Sequence, residues 1–527
     1  MSASRQSMHN RNRRIRERSK RGMLNFLFGR SAIIIVLLVI QFFLLISLFA
    51  RWQFSTYAYG ISFALSIVMA IYLINHRMNS TSRDTWLILV LLVPVVGTML
   101  FIYVDTDLGH RLVRGRLDQI QRNTQEYAPR PEGLMKALQI REPELYGLAS
   151  YMHNLGSFPI YENTHVTYFP LGEDKFAALL EELEKAESFI FMEYFILSEG
   201  YMWNSVLDIL RRKARQGVEV RVMYDGTNAI FNVPYHYPEK LRAMGIQCKM
   251  FSPIRPLFST YHNNRDHRKI LVIDGHTAFT GGINLADEYI NRKAVHGHWK
   301  DTAIMLKGEA VRSFTLMFLQ MWGVSERTME YQRYLNVELP PLPPARGYVL
   351  PYGDSPFDNE RVGEAVYLDI INRAERYVHI MTPYLIIDGE MTTALTFAAK
   401  RGVDVRLILP HIPDKKSAFA LAYTHYRELL EAGVRIYEYT PGFVHAKVFI
   451  SDDIKAVVGT INLDYRSLYL HFECAAYLYK TPVNEEIELD FRRTLKQCQQ
   501  VTLDTMKHDK RYRKVLGVLL KVFAPLM

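Results

Sequence analysis

The sequence predicts an α/β protein in which N-terminal transmembrane helices precede two copies of one α/β domain that share a single active site. Three observations predict it: apolar stretches without charge near the N-terminus, an internal repeat of helix, glycine and strand, and a doubled motif of His, Lys, Asp and Asn. With 49% apolar and 22% charged residues, the 527-residue chain is neither collagen-like, nor coiled-coil, nor disordered. Cys248, Cys474 and Cys498 are too few and too scattered for a disulfide scaffold or a Cys-rich zinc site.

Charge is distributed unevenly. Residues 1–30 hold nine Arg or Lys against the single acid Glu17, which leaves +2 of the net +10 on the other 497 residues. The basicity belongs to a tail, and the folded part lacks the positive track that nucleic-acid binding needs. Three stretches then carry no charge at all: Ser31–Ala50, Trp52–Asn75 and Thr85–Val104. Each is long enough to cross a hydrocarbon core of roughly 30 Å. Trp52, Tyr57, Tyr59, Trp86 and Tyr103 lie near their ends, as interfacial aromatics do. A cleaved signal peptide fits less well, because no A-x-A-like site follows and two more apolar stretches do. The expectation is a basic cytoplasmic tail at 1–30 and a multi-pass membrane anchor at 31–104. Two spans would keep the remainder on the cytoplasmic side and three would place it outside.

Beyond a linker at 105–135, the chain has the length of two domains. Ala214–Met223 (ARQGVEVRVM) parallels Ala399–Ile408 (AKRGVDVRLI), each a polar helix end leading through glycine into a buried strand. Apolar β-rich runs precede them at Ser188–Leu197 and Arg376–Ile386. Glycine-led strands follow at Gly245–Phe251 and Gly433–Tyr437. Helices alternating with strands predict an α/β sheet in each half, at 136–339 and 348–527. Pro340, Pro341, Pro343 and Pro344 punctuate the connection at 340–347. Phe314, Phe318 and Trp322, at i, i+4 and i+8, read as a core stripe.

The chemistry lies in the doubled motif. His267-Arg-Lys269-Ile-Leu-Val-Ile-Asp274 precedes Gly281-Gly282-Ile-Asn284, and His445-Ala-Lys447-Val-Phe-Ile-Ser-Asp452 precedes Gly459-Thr460-Ile-Asn462. In both copies Asn follows His by seventeen residues. One such copy arises by chance in roughly a few chains per thousand, and two far more rarely. Strand alternation puts His267 with Lys269, and His445 with Lys447, on one face. Asp274 and Asp452 belong to the candidate catalytic set by motif, but opposite parity suits them to tying the strand end to nearby backbone. The glycines let Asn284 return to the His-Lys face, and Thr460 in the second glycine's place suggests a less crowded approach there.

Two His, two Lys and two Asn converging on one point suit a phosphodiester. Lysines and asparagines supply donors for oxygens that gain charge in a five-coordinate transition state. One imidazole can attack phosphorus while the other delivers a proton to the leaving alkoxide. No metal or other cofactor is required, and ammonium groups two residues from each imidazole disfavour zinc. Each histidine also needs an orienting carboxylate. Asp301, thirty-four residues past His267, and Glu473, twenty-eight past His445, sit in strand-like surroundings and are the candidates.

The doubled His-x-Lys-x4-Asp pattern with its trailing Gly-x-x-Asn resembles the phospholipase D superfamily. With the apolar N-terminus and a Trp86…Pro94-x-x-Gly97 segment, the chain is similar to the bacterial cardiolipin synthases within it. The resemblance implies two duplicated phospholipase D-type domains, a membrane setting and phosphatidylglycerol as the phospholipid substrate, with no nucleic acid. It implies that His267 or His445 forms a phosphohistidine, with analogy favouring His267, while the other acts as general acid and then base. Lys269, Lys447, Asn284 and Asn462 would hold the phosphate, and Asp301 and Glu473 would orient the rings. The implied reaction joins two phosphatidylglycerols into cardiolipin and glycerol. A membrane phospholipase D releasing phosphatidic acid, and a tethered nucleic-acid phosphodiesterase, are the other readings. The apolar residues from Val515 to Met527 suit either a lipid interface or a helix packed on the second domain.

Overall fold

The computed structural model describes residues 52–106, 108–155, 158–253, 264–358, 360–508, 511–522 and 524, with side chains in the first helix from Gly60 onward. By its contacts the described part of the chain forms two compact units, one running from residue 52 to 110 and one comprising residues 111–253 and those from 264 onward.

In the first unit the helices are Trp52–Asn75, Ser80–Leu92 and Pro94–Thr106. Among the described residues no helix is long and apolar enough to cross a membrane. This overturns the expected transmembrane helices and, with them, the multi-pass localisation. The stretch Thr85–Val104 shows why: Pro94 divides it between two helices of thirteen residues, each rising about 20 Å. Gly97 lies where a Cβ would meet the Leu89 carbonyl oxygen at 2.6 Å, so only glycine permits the turn to press on the preceding helix. Trp86 packs edge-on against Phe101 at 5.3 Å. The stretch Ser31–Ala50 and the basic tail lie outside the described residues.

The second unit carries the repeat. Its first half contributes β1 (Thr164–Phe169), β2 (Phe189–Tyr194), β3 (Glu219–Asp225), β4 (Gln247–Phe251), β5 (Lys269–Ile273), β6 (Thr277–Gly281), β7 (His298–Lys300) and β8 (Ala303–Gly308). Its second half contributes β9 (Tyr348–Asp354), β10 (Tyr377–Met381), β11 (Asp404–Pro410), β12 (Arg435–Tyr439), β13 (Gly442–Val444), β14 (Val448–Ser451), β15 (Lys455–Gly459), β16 (Glu473–Tyr479) and β17 (Cys498–Val501). One sheet runs β1-β8-β6-β5-β2-β3-β4 and the other β9-β16-β15-β14-β10-β11-β12-β17. The orders superimpose strand for strand, with β17 as an extra edge, so the sequence repeat is a repeat of topology. Gly217 and Gly402, at φ of 95° and 97°, end the helices before β3 and β11 in the same left-handed turn.

Period-2 alternation assigns each strand two faces. Ile190, Met192 and Tyr194 pack outward under Trp203 and Val206 of the helix Tyr201–Arg215. Phe189 and Phe191 point the other way, into a core shared with Val448, Ile450 and Val458 of the second sheet. Into this shared layer the helix Val311–Gly323 inserts Phe314, Phe318 and Trp322, all buried, with Phe318 stacked on Phe191 at 4.7 Å. Each such ring contributes about 1.5–3 kcal/mol of burial. The halves therefore cannot separate without exposing their common core. The stretch expected as a linker carries the helix Leu108–Thr124. The C-terminal helix Arg511–Lys521 packs on the helix Lys416–Glu431, where Gly517 lies close to the Ala420 carbonyl.

Candidate active site

Two short parallel ribbons join the halves at the site. In one, Asp266 bridges to Phe472, His267 N donates to the Phe472 carbonyl at 2.9 Å, and Phe472 N donates to the Arg265 carbonyl at 2.8 Å. In the other, β7 pairs with β13, and His445 N donates to the Lys300 carbonyl at 2.7 Å. Each ribbon places a histidine of one half beside a carboxylate of the other.

The histidine–carboxylate pairs consequently cross. His267 Nδ1 lies 2.8 and 2.9 Å from the two carboxylate oxygens of Glu473, and His445 Nδ1 lies 2.6 Å from Oδ2 of Asp301. Glu473 and Asp301 are fully buried. Burial, Lys269 and the other cationic partners hold His267 well below the ordinary imidazole range; burial and Lys447 hold His445 down at about 4. Burial likewise pushes Glu473 up to about 8. Both rings are thus held toward the neutral form, and when the paired acid is ionised an Nδ1–H given to it leaves the Nε2 lone pair free.

Lys269 and Lys447 are both 1% exposed. Burial lowers Lys269 to about 8 and Lys447 to about 7, against the pull of Asp301 and Glu473 on both. Lys447 Nζ approaches His445 Nδ1 at 2.9 Å. Lys175, also buried, adds a third amine lowered to about 7 by burial, which Asp301 opposes. The motif lysines of both halves and both carboxylates thus occupy one charged cluster.

The remaining motif residues separate into different tasks. Asp274 accepts backbone N–H bonds from Glu187, Ser188 and Phe189 at 2.7–2.8 Å, and Asp452 accepts from Glu375, Arg376 and Tyr377 at 2.9 Å. Their carboxylates anchor the far strand ends to the starts of β2 and β10. Asn284 is engaged on both sides, accepting from Ile196 N at 2.9 Å and donating to the Tyr289 hydroxyl at 2.8 Å. Asn462 is buried, and its Oδ1 makes no hydrogen bond.

Thr460 differs from the expectation of a looser approach: its hydroxyl donates to Glu473 and takes a bond from Cys474 N at 3.0 Å. At the equivalent Gly282 a Cβ would meet Asp301 Oδ1 at 2.1 Å, so that carboxylate sits too close for any side chain. The walls also differ. Tyr289, Trp299 and Phe443 surround His445 at 5.4–5.8 Å between ring centroids, whereas Phe195 and His471 flank His267 at 4.8 and 5.5 Å. Reasoning from motif offsets missed Tyr289, Lys175 and His471. His471 carried a legible signal, since it precedes Glu473 by two residues and so shares its face of the strand. His267, His471 and Glu473 bring ligand-type atoms within 4.8 Å of one another. The cations Lys269, Arg265, Arg466 and Lys415 act on the same ring and lower it.

A doubled α/β fold with paired His-Lys sets meeting at one point defines the phospholipase D class. The fold is similar to that of phosphatidylserine synthase from Haemophilus influenzae, with a TM-score of 0.54 at 14% identity, over 72% of this chain and 97% of that one. The family model described as "Cardiolipin synthase, PLD-like domain" matches residues 179–322 and 367–495, just over half of the chain. The chain is 33% identical to a cardiolipin synthase of Alkalihalophilus pseudofirmus over 486 residues, covering 90% of this chain and 95% of the relative. It is 53% identical to an uncharacterized protein of Streptococcus mutans over 457 residues, covering 87% of this chain and 99% of the relative. The chain belongs to the phospholipase D-like cardiolipin synthase family and is an enzyme of its phosphatidyltransferase class.

Proposed function

We propose that the site transfers a phosphatidyl group from one phosphatidylglycerol to a second, releasing glycerol and forming cardiolipin. The single observation that carries this reading is the crossed pairing, in which each imidazole is held by a buried carboxylate through Nδ1 with Nε2 left for chemistry.

His267 Nε2 attacks phosphorus, and the bond from phosphorus to the glycerol oxygen breaks. His445, protonated, gives that oxygen its proton. The phosphatidyl group then rests on His267. A headgroup hydroxyl of the second lipid loses its proton to His445 and attacks phosphorus, the phosphorus–nitrogen bond breaks, and both rings return to their starting states. The first step needs a cationic His445, whereas the free ring is neutral. The incoming phosphodiester anion offsets the Lys269 and Lys447 charges and raises the proton affinity of the imidazole. The same lysines face the non-bridging oxygens as charge builds there. The bond energy of the donor is kept in the adduct, so no nucleotide enters the balance.

Incubation of the purified full-length protein with phosphatidylglycerol vesicles, followed by lipid analysis, tests the proposal. Cardiolipin and glycerol in equal amounts are expected. Phosphatidic acid as the dominant product, without cardiolipin, would assign the site to hydrolysis instead.

A further inference from the structure

His471 has no task in the transfer just described. Its residue is 9% exposed, and neither ring nitrogen has a hydrogen-bond partner. Leaving a buried polar group unsatisfied costs stability, so a fold that keeps it this way beside the His267 ring points to a ligand that satisfies it.

The ring is placed with care. Phe472, between His471 and Glu473, lies in the ribbon that bridges to Asp266, so residues 471 and 473 point together toward His267. The His471 and His267 rings are 5.5 Å apart between centroids and tilted by 40°. Its Nδ1 is 3.9 Å from Glu473 Oε1, beyond hydrogen-bond reach. Burial and the charges of Arg466, Lys269, Arg265 and Lys415 keep the ring well below its ordinary range, hence neutral, with one N–H to donate. Asn284, the donor expected on this side, is already committed to Tyr289. The four cations that act on the ring favour a phosphate anion beside it.

We propose that the His471 imidazole donates a hydrogen bond to a non-bridging oxygen of the bound phosphodiester on the His267 side, making it a further catalytic residue. The assignment rests on the reading of the cleft as a phosphatidyl-transfer site. A donor aimed at an oxygen that gains charge acts mainly in the transition state.

In the full-length enzyme, His471→Leu is expected to lower kcat for cardiolipin formation about 10²-fold with KM within about threefold. His471→Asn, which restores an N–H donor, should recover to within about tenfold of wild type. Titration calorimetry with inorganic phosphate provides an arm independent of the lipid. His471→Leu should weaken phosphate binding at least about fivefold, and His471→Asn should not. Unchanged phosphate affinity in His471→Leu overturns the assignment whatever lipid the enzyme uses. Weakened affinity in a protein that makes no cardiolipin supports the assignment and sinks the transfer reading alone. Should His471→Leu fail to fold, the His471 ring resonances of the wild type, identified by their loss in His471→Asn, should move on phosphate addition. Unmoved resonances overturn the proposal, as does a stoichiometric cobalt(II) absorption band lost in His471→Asn, which would give the ring to a cation.

Discussion

His267 in the first half and Glu473 in the second are 206 residues apart in sequence, yet Nδ1 of one lies 2.8 Å from Oε1 of the other. Neither motif histidine takes its carboxylate from its own half, so each ring depends on the other half for its partner. The carboxylate fixes the tautomer that exposes Nε2 and supports the ring when it gains positive character. Glu473→Gln keeps the shape and the Thr460 contact but cannot take on the negative charge that supports a cationic ring. Its kcat should fall about 10²–10⁴-fold with the fold intact by circular dichroism. Asp301→Asn should do the same to His445. A loss under about fivefold in both would show that the pairs are not used.

The two histidines should be separable by trapping. Both His267→Ala and His445→Ala are expected to abolish cardiolipin formation. A phosphodiester with an activated aryl leaving group needs little protonation, so His445→Ala should still accumulate a covalent adduct on it while His267→Ala should not. Mass spectrometry of the intact protein checks this. Labelling of His267→Ala but not of His445→Ala would exchange the roles.

Much of this was legible because the motif repeats. Matched offsets in two copies identify the His-Lys pairs, and parity along β5 and β14 separates Asp274 and Asp452 from them. The exchange of carboxylates was not legible, since Asp301 follows His267 and Glu473 follows His445 within one half. Only the parallel ribbons, which are contacts between distant segments, reveal that each acid serves the other half's ring. Thr460 was misjudged for the same reason: its offset says that a side chain fits, but not that Glu473 is what it meets. Charge-free length overstated the membrane helices because it ignores where a proline divides the run, as Pro94 does.

Asp274 and Asp452 should matter to stability and little to chemistry. Each accepts three backbone N–H groups, bonds that carry more weight than neutral ones because the acceptor is charged. Asp274→Asn turns an amide donor toward one of those N–H groups. Urea unfolding should show a loss of about 1–3 kcal/mol, with kcat of the folded fraction within about threefold of wild type. A kcat loss of a hundredfold or more at unchanged stability would return Asp274 to the reaction.

Lysine should steepen the alkaline side of the pH dependence. Burial lowers Lys447 to about 7 and Lys269 to about 8, so the free site holds its ammonium charges only below those values. Rising pH through this window removes the cations that attract the phosphodiester, and kcat/KM, which reports the free enzyme, should fall above about pH 7. The bound anion favours the protonated amines, so the same limb in kcat should lie at higher pH. His445, held down at about 4, must be protonated for the first step and so adds a steady fall across the whole range, while Glu473, pushed up to about 8, ionises in the same window and opposes it. Initial rates on phosphatidylglycerol vesicles from pH 5 to 10 check this. A kcat/KM that stays level to pH 10 would mean that the lysine charges do not hold the substrate.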